Sequence, residues 1–219
     1  FAIGEVPSGS ADPFGLRRQG NGIIRTLIER KLQLPLAAAL QQALRGYADI
    51  GLKELPAGTA EFFKERLSFY LRESGGFEAA KVAAVLAAGA DDPLDACQRA
   101  TALAAAPDLA AVAAVVKRAR SIVRKEGGLE KWQAAAVATE LLREPAEQEL
   151  RRAVEVLPAG GDYAAELQAI ALLAAPLENF FNQVRVNDED AAVRANRLAL
   201  LAATVGRLNR IADFAELAG

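Results

Sequence analysis

Apolar positions along this chain recur every three to four residues, with polar residues between them. That spacing lines apolar side chains along one side of an α-helix. No stretch sustains the alternation of period two that a half-buried strand requires. The pattern predicts an all-α protein made of helical bundles.

Start and stop signals divide the pattern into elements. Asp12 reads as an N-cap and Pro13 as the first helical residue, in a helix running to about Leu32 before Leu34-Pro35. A second helix covers Leu36 to Ala48. Thr59 caps "AEFFKERLSFYLRES", which Gly75-Gly76 ends, and Gly89 ends "FEAAKVAAVLAAG". Asp92-Pro93 opens another helix, and Asp108 caps "LAAVAAVVKRARSIVRKEG". Gly127 to Thr139 reads as a region containing a loop. Pro145 starts "AEQELRRAVEVL", Asp162 opens "YAAELQAIALLAA", and Pro176 restarts the chain as "LENFFNQV". Asp188 opens the last helix, from about Glu189 to Ala212. The composition shifts between Gly89 and Asp108, which sets an expected division into a helical segment, 1–106, and a helical domain, 107–219.

The first helix carries glycines that cost about 1 kcal/mol each relative to alanine. Leu16, Ile23, Ile24, Leu27 and Ile28 share one face, with Gly20 in its middle. A glycine there lets a neighbouring backbone approach closely. The phasing gives no reason for Gly15 or Gly22. Arg18 and Arg25 point away from the apolar face. Arg17 flanks it, either paired with a carboxylate or in contact with a phosphate or a partner.

Composition narrows the chemistry. Hydrophobic residues are 52% and charged residues 25% of the 219, a globular rather than a disordered balance. The net charge of −2 removes any whole-chain basic signal, so a nucleic-acid site must be a local patch. There is no histidine, which excludes Ser-His-Asp and Cys-His catalysis within the chain and removes the commonest metal ligand. Cys97 is the only cysteine, so no disulfide forms within the chain and a reducing compartment is expected. No membrane span is expected, because "ATALAAAPDLAAVAAVV" is broken by Pro107 and Asp108. The chain has no recognisable signal peptide, begins at Phe1 and contains no methionine, so it reads as a piece of a longer or processed protein.

Candidate binding groups lie on two helices. In "KRARSIVRK", Lys117, Arg120 and Arg124 share one face, with Arg118 and Lys125 beside them. Cations late in a helix complement its dipole. The same row also suits RNA phosphates. In the last helix, Arg197 falls within the apolar stripe, so it needs a partner such as Asp190 or Asp213 in a structural ion pair. Arg194 flanks that stripe, while Arg207 and Arg210 face outward. The paired carboxylates of "NDEDAA" and "DDPLD" read as helix caps rather than as a catalytic or metal site. Trp132 is either a core anchor or a stacking surface.

Several segments together resemble the bacterial glycyl-tRNA synthetase beta subunit. "SADPFGLRRQGNGIIRTLIE" is similar to its D-P-F-x-L-R-R segment, and "GGFEAAKVAAVLAAG" to a later glycine-phenylalanine pair followed by V-x-A-V-L-A. "LLREPAEQEL" and "FFNQVRVNDEDAAVRANRLALLAATVGRLNRIADFAEL" resemble its C-terminal end, with F-F-x-x-V, D-x-x-L-R-x-N-R-L and a closing A-D-F. Val193 stands where leucine is common, and Arg185 where an apolar residue is usual. The resemblance implies a C-terminal portion of that subunit, ending in a DALR-like anticodon-binding domain shared with arginyl-tRNA synthetases. It implies glycine tRNA and the alpha subunit as partners, in an assembly of two alpha and two beta subunits in the cytoplasm, with no DNA or membrane partner. ATP and the adenylate chemistry belong to the alpha subunit, so no cofactor and no active site are expected here. The metal signature of the family's upstream HD-like domain is absent, as the chain has no histidine. The tRNA-binding residues would be Lys117, Arg118, Arg120 and Arg124, with Arg185 and Arg194. The competing expectation is a helical protein-interaction scaffold that docks through its alanine-rich faces without binding RNA.

Overall fold

The computed structural model describes residues 7, 12, 14–51, 54–158 and 160–218, and contains no strand among them. The chain divides into two compact units, Phe1–Thr101 and Ala102–Gly219. No helix of the described residues is long and apolar enough to cross a membrane.

The first unit contains α1 (Leu16–Glu29), α2 (Leu36–Leu44), a 3-10 turn (Arg45–Ile50), α3 (Thr59–Glu73), α4 (Ala79–Ala88) and most of α5 (Pro93–Ala104). Helix α1 starts later than its capping signal suggests. Gly15 adopts a left-handed conformation (φ 63°) that bends the chain back. The Asp12 carboxylate thereby accepts from the N–H groups of Leu16 and Arg17, at 2.7 and 3.0 Å. Asp12 thus satisfies two orphan donors from outside the helix. The expected first helical residue, Pro13, lies outside the described residues.

Ile24 and Leu27 of α1 are buried, as are Phe62, Phe63, Leu67 and Leu71 of α3, and the two helices pack together. A Cβ on Gly20 would lie 2.8 Å from Cε1 of Phe62. The close neighbour is therefore an aromatic ring, not a backbone. Ile23 leaves the expected apolar face and is 44% exposed. Thr59 does not act as the acceptor cap of α3. Its hydroxyl donates to the Pro56 carbonyl at 2.7 Å, while Gly58 occupies the cap position at φ 84°. Asp92 caps α5, its Oδ1 accepting from Leu94 and Asp95 N–H groups. Arg99 of α5, 3% exposed, donates to Asp95 and to the Val85 and Gly89 carbonyls at the end of α4. The Val85 carbonyl also accepts from the Gly89 N–H that caps α4, so one guanidinium reinforces the end of that helix and ties it to α5.

The second unit contains α6 (Ala110–Lys125), α7 (Leu129–Gln133), a 3-10 turn (Thr139–Leu141), α8 (Pro145–Glu155), α9 (Tyr163–Ala171), α10 (Ala174–Gln183), α11 (Ala191–Leu208) and a 3-10 turn (Phe214–Ala218). Helix α11 is its centre and packs against α6, α7 and α8. Val193, Leu198, Leu200, Leu201, Val205 and Leu208 of α11 are all buried. The apolar face of α6, Val112, Val116 and Val123, is buried with Leu109 just before it. Pro176 does not restart the chain; it sits in the first turn of α10, where a missing N–H breaks no helical hydrogen bond.

Candidate nucleic-acid interface

Successive residues of an α-helix are rotated by about 100°, and this rotation separates the basic residues of α6 into two sets. Lys117, Arg120, Arg124 and Lys125 line a cleft of about 670 Å³ together with Ser121. Ala215 and Glu216, from the last 3-10 turn, form the opposite wall. Nη1 of Arg120 lies 2.6 Å from Asp213 and 3.5 Å from Glu216. Lys117 Nζ is 3.5 Å from the Ala218 carbonyl. Arg124 and Lys125 have no ion-pair partner among the described residues.

Arg118 leaves α6 on another side. Its guanidinium lies 4.3 Å from the ring centroid of Phe181 on α10. A flat, weakly hydrated cation packs well on an aromatic face. Arg118 therefore does not join the cleft with Lys117, Arg120 and Arg124, as the sequence row suggested.

Arg185 and Arg194 are not brought to the cleft lining either. The Arg185 side chain is 77% exposed and 4.0 Å from Glu189. Arg194 is half-buried and donates to the Asp188 carbonyl at 2.7 Å, which holds the turn before α11.

The ion pair expected between Arg197 and Asp190 is replaced by a different arrangement. Arg197 pairs with Glu147 of α8 and with Asp188, both at 2.6 Å, and donates to the Arg185 carbonyl at 2.9 Å. Arg197 and Glu147 are both buried, so the charges and their remaining hydrogen-bonding groups must be satisfied internally. Glu147 meets that need doubly, since its Oε2 also accepts from the Glu144 N–H in a capping box. Asp190 caps α11 through the N–H groups of Ala192 and Val193, and pairs with Arg143 at 2.6 Å. A capping carboxylate folds over the helix end, whereas Arg197 projects sideways from the second turn. Asp213, the other expected partner, is taken by Arg120.

Two carboxyls of this region titrate below the usual carboxylate range. The Asp190 N–H, followed by Arg197, holds Asp188 down against desolvation. The Arg143 guanidinium and the α11 N–H groups do the same for Asp190.

Other polar side chains organise the second unit. Asn196 exchanges two hydrogen bonds with the Ala138 backbone, at 2.8 and 3.0 Å, and clamps the 134–138 loop to α11. Arg207, expected to face outward, donates to the Leu157 and Pro158 carbonyls and lies 3.5 Å from buried Glu166. Arg210 approaches the same carboxylate at 3.9 Å. Trp132 is half-buried; its indole donates to the Glu126 carbonyl, and Lys131 covers its ring at 4.3 Å.

Comparison with known proteins places this geometry. Residues 1–87 match the family described as glycyl-tRNA synthetase beta subunit, and residues 112–213 match the DALR anticodon binding domain. Glycine–tRNA ligase beta subunits of Leptothrix cholodnii, Acidobacterium capsulatum and Dechloromonas aromatica are each 42% identical to it, over 100%, 99% and 99% of this chain. The chain belongs to the glycyl-tRNA synthetase beta-subunit family. It spans about a third of the length of these relatives, 31%, 33% and 32%. Within this beta-subunit chain, the cationic row of α6 and Asp213 fall inside the DALR-matched span, and Glu216 lies just beyond it. Sequence reasoning did not connect Asp213 or Glu216 to α6, because some ninety residues separate them from it and no spacing rule spans that distance.

Proposed function

We propose that this chain is the tRNA-binding part of a glycine–tRNA ligase beta subunit. It supports ATP-dependent attachment of glycine to its tRNA, with ATP and the adenylate chemistry on the alpha subunit, in a cytoplasmic assembly of two alpha and two beta subunits. In this reading the chain is asked for tRNA contacts, not for a catalytic group, a metal ligand or a cofactor site. The observation that carries this reading is the cleft of α6, whose cations lie in the span matching an anticodon binding domain. Lys117, Arg120, Arg124 and Lys125 would meet successive phosphates, which fix register without reading bases. Arg118 supports the wall of the unit through Phe181.

The test is a titration of the assembled enzyme with glycine tRNA at several salt concentrations. Binding should weaken steeply as salt rises. Lys117→Glu with Arg124→Glu should lower affinity and flatten the logarithmic salt slope by about 0.7 for each single-stranded phosphate no longer neutralised. Unchanged affinity would remove the α6 cleft from the interface. Salt-independent binding, or none, would favour a protein-docking scaffold instead.

A further inference from the structure

The cleft holds one group that opposes an RNA ligand. Glu216 lines it, half-exposed, with its carboxylate 3.5 Å from Arg120 Nη1. Asp213 approaches the same nitrogen at 2.6 Å, but its side chain is only 8% exposed. The two carboxylates have different duties. Asp213 Oδ1 also accepts from the Ala215 N–H, so this residue is built into the final turn. The Glu216 side chain makes no other polar contact among the described residues. Nε and Nη2 of Arg120 make no hydrogen bond among the described residues either.

We propose that Glu216 is a displaceable counter-ion seated where an RNA phosphate binds, while Asp213 keeps Arg120 aimed into the cleft. This rests on the tRNA reading of the cleft. Exposed ion pairs are weak and exchange readily with other charges. An RNA phosphodiester brings two non-bridging oxygens that suit the guanidinium fork better than one distant carboxylate oxygen does. An isolated anion gains little from the exchange, because it must displace Glu216 for a single contact. A nucleic-acid strand engages Lys117, Arg124 and Lys125 at the same time, and so displaces Glu216 as part of a larger gain. Glu216 thereby discriminates between free anions and a phosphodiester chain. It also keeps Arg120 compensated when no RNA is bound.

The experiment uses the assembled alpha and beta subunits and measures glycine-tRNA affinity at one fixed salt concentration. Glu216→Gln should tighten binding by about two- to fivefold, the worth of an exposed ion pair. Glu178→Gln removes the same charge from exposed α10 and should change little. In an Arg120→Gln background, Glu216→Gln should have no further effect. Arg124→Glu reports separately on the cleft. If Arg124→Glu weakens binding but Glu216→Gln does not tighten it, the counter-ion role is overturned and the tRNA reading stands. If Glu178→Gln tightens binding equally, the effect is long-range charge and the role is overturned too. If Arg124→Glu changes nothing, the cleft is not an RNA surface, and both ideas fail.

Discussion

Gly20 and Gly22 stand two positions apart in α1 and answer to different constraints. At Gly20 a Cβ would press on Phe62 at 2.8 Å and on Arg66 Cγ at 3.2 Å. Overpacking of that kind costs about 1–3 kcal/mol, against a propensity gain of about 1 kcal/mol. Gly20→Ala should therefore lower stability on balance. At Gly22 nothing lies within 4 Å, so Gly22→Ala should raise stability by about 0.5–1 kcal/mol. Denaturant unfolding of the two variants checks the opposite signs; a stabilising Gly20→Ala would contradict the packing account. Helical phasing made Gly20 legible as a close-approach site, because its place on the stripe is a local property. It could not say that the neighbour is a ring, since Phe62 arrives from another helix. Nothing in the structure explains Gly22. Arg197 repeats the lesson: its place in the stripe required burial, but Glu147 lies fifty residues away and no spacing rule points to it.

At the scale of elements, helices were legible from apolar period, and so were ends marked by a single signal, such as Pro145, Asp162 and Gly89, whereas an end offering several carboxylates was not. The last helix was expected from about Glu189 and begins at Ala191, because Asp190 is the residue whose side chain caps it. Asp188, expected to open it, instead receives Arg197 and the Asp190 N–H. Several carboxylates near a helix start all look like caps, and only the fold decides which one turns over the end. That division has a pH signature. Asp188 and Asp190 both titrate lower in the folded chain than in the unfolded one. The unfolded state therefore binds protons first as pH falls, and the stabilisation from these two groups is complete above the unfolded value of about 3.9. It is lost progressively below that, through the folded values. The thermal midpoint should fall as pH drops below about 4, and Asp188→Asn with Asp190→Asn should make that acid slope shallower. An unchanged acid slope in the double variant would show that other carboxyls dominate.

For the whole molecule, the all-α class was legible because every long segment carries the helical period, and family membership because motifs near both ends survive in order. The binding surface was only partly legible, since a basic row on paper includes residues that leave the helix in different directions. Arg118 shows this, while Arg120, which does face the cleft, has its charge already met by the final turn. What the surface contributes to the enzyme is a question of rate. The proposed division of labour leaves adenylate formation to the alpha subunit and gives this segment a share of tRNA binding. Enzyme assembled with a beta subunit lacking the segment should then keep glycine-dependent exchange between ATP and pyrophosphate. Its KM for tRNA in aminoacylation should rise by about tenfold or more, the equivalent of about 1.4 kcal/mol of binding free energy. A KM effect without loss of exchange places the segment in tRNA capture. Equal aminoacylation at limiting tRNA would remove it from that role. Loss of exchange along with aminoacylation would mean that the segment acts through the alpha subunit, since an RNA contact cannot influence a step that proceeds without RNA.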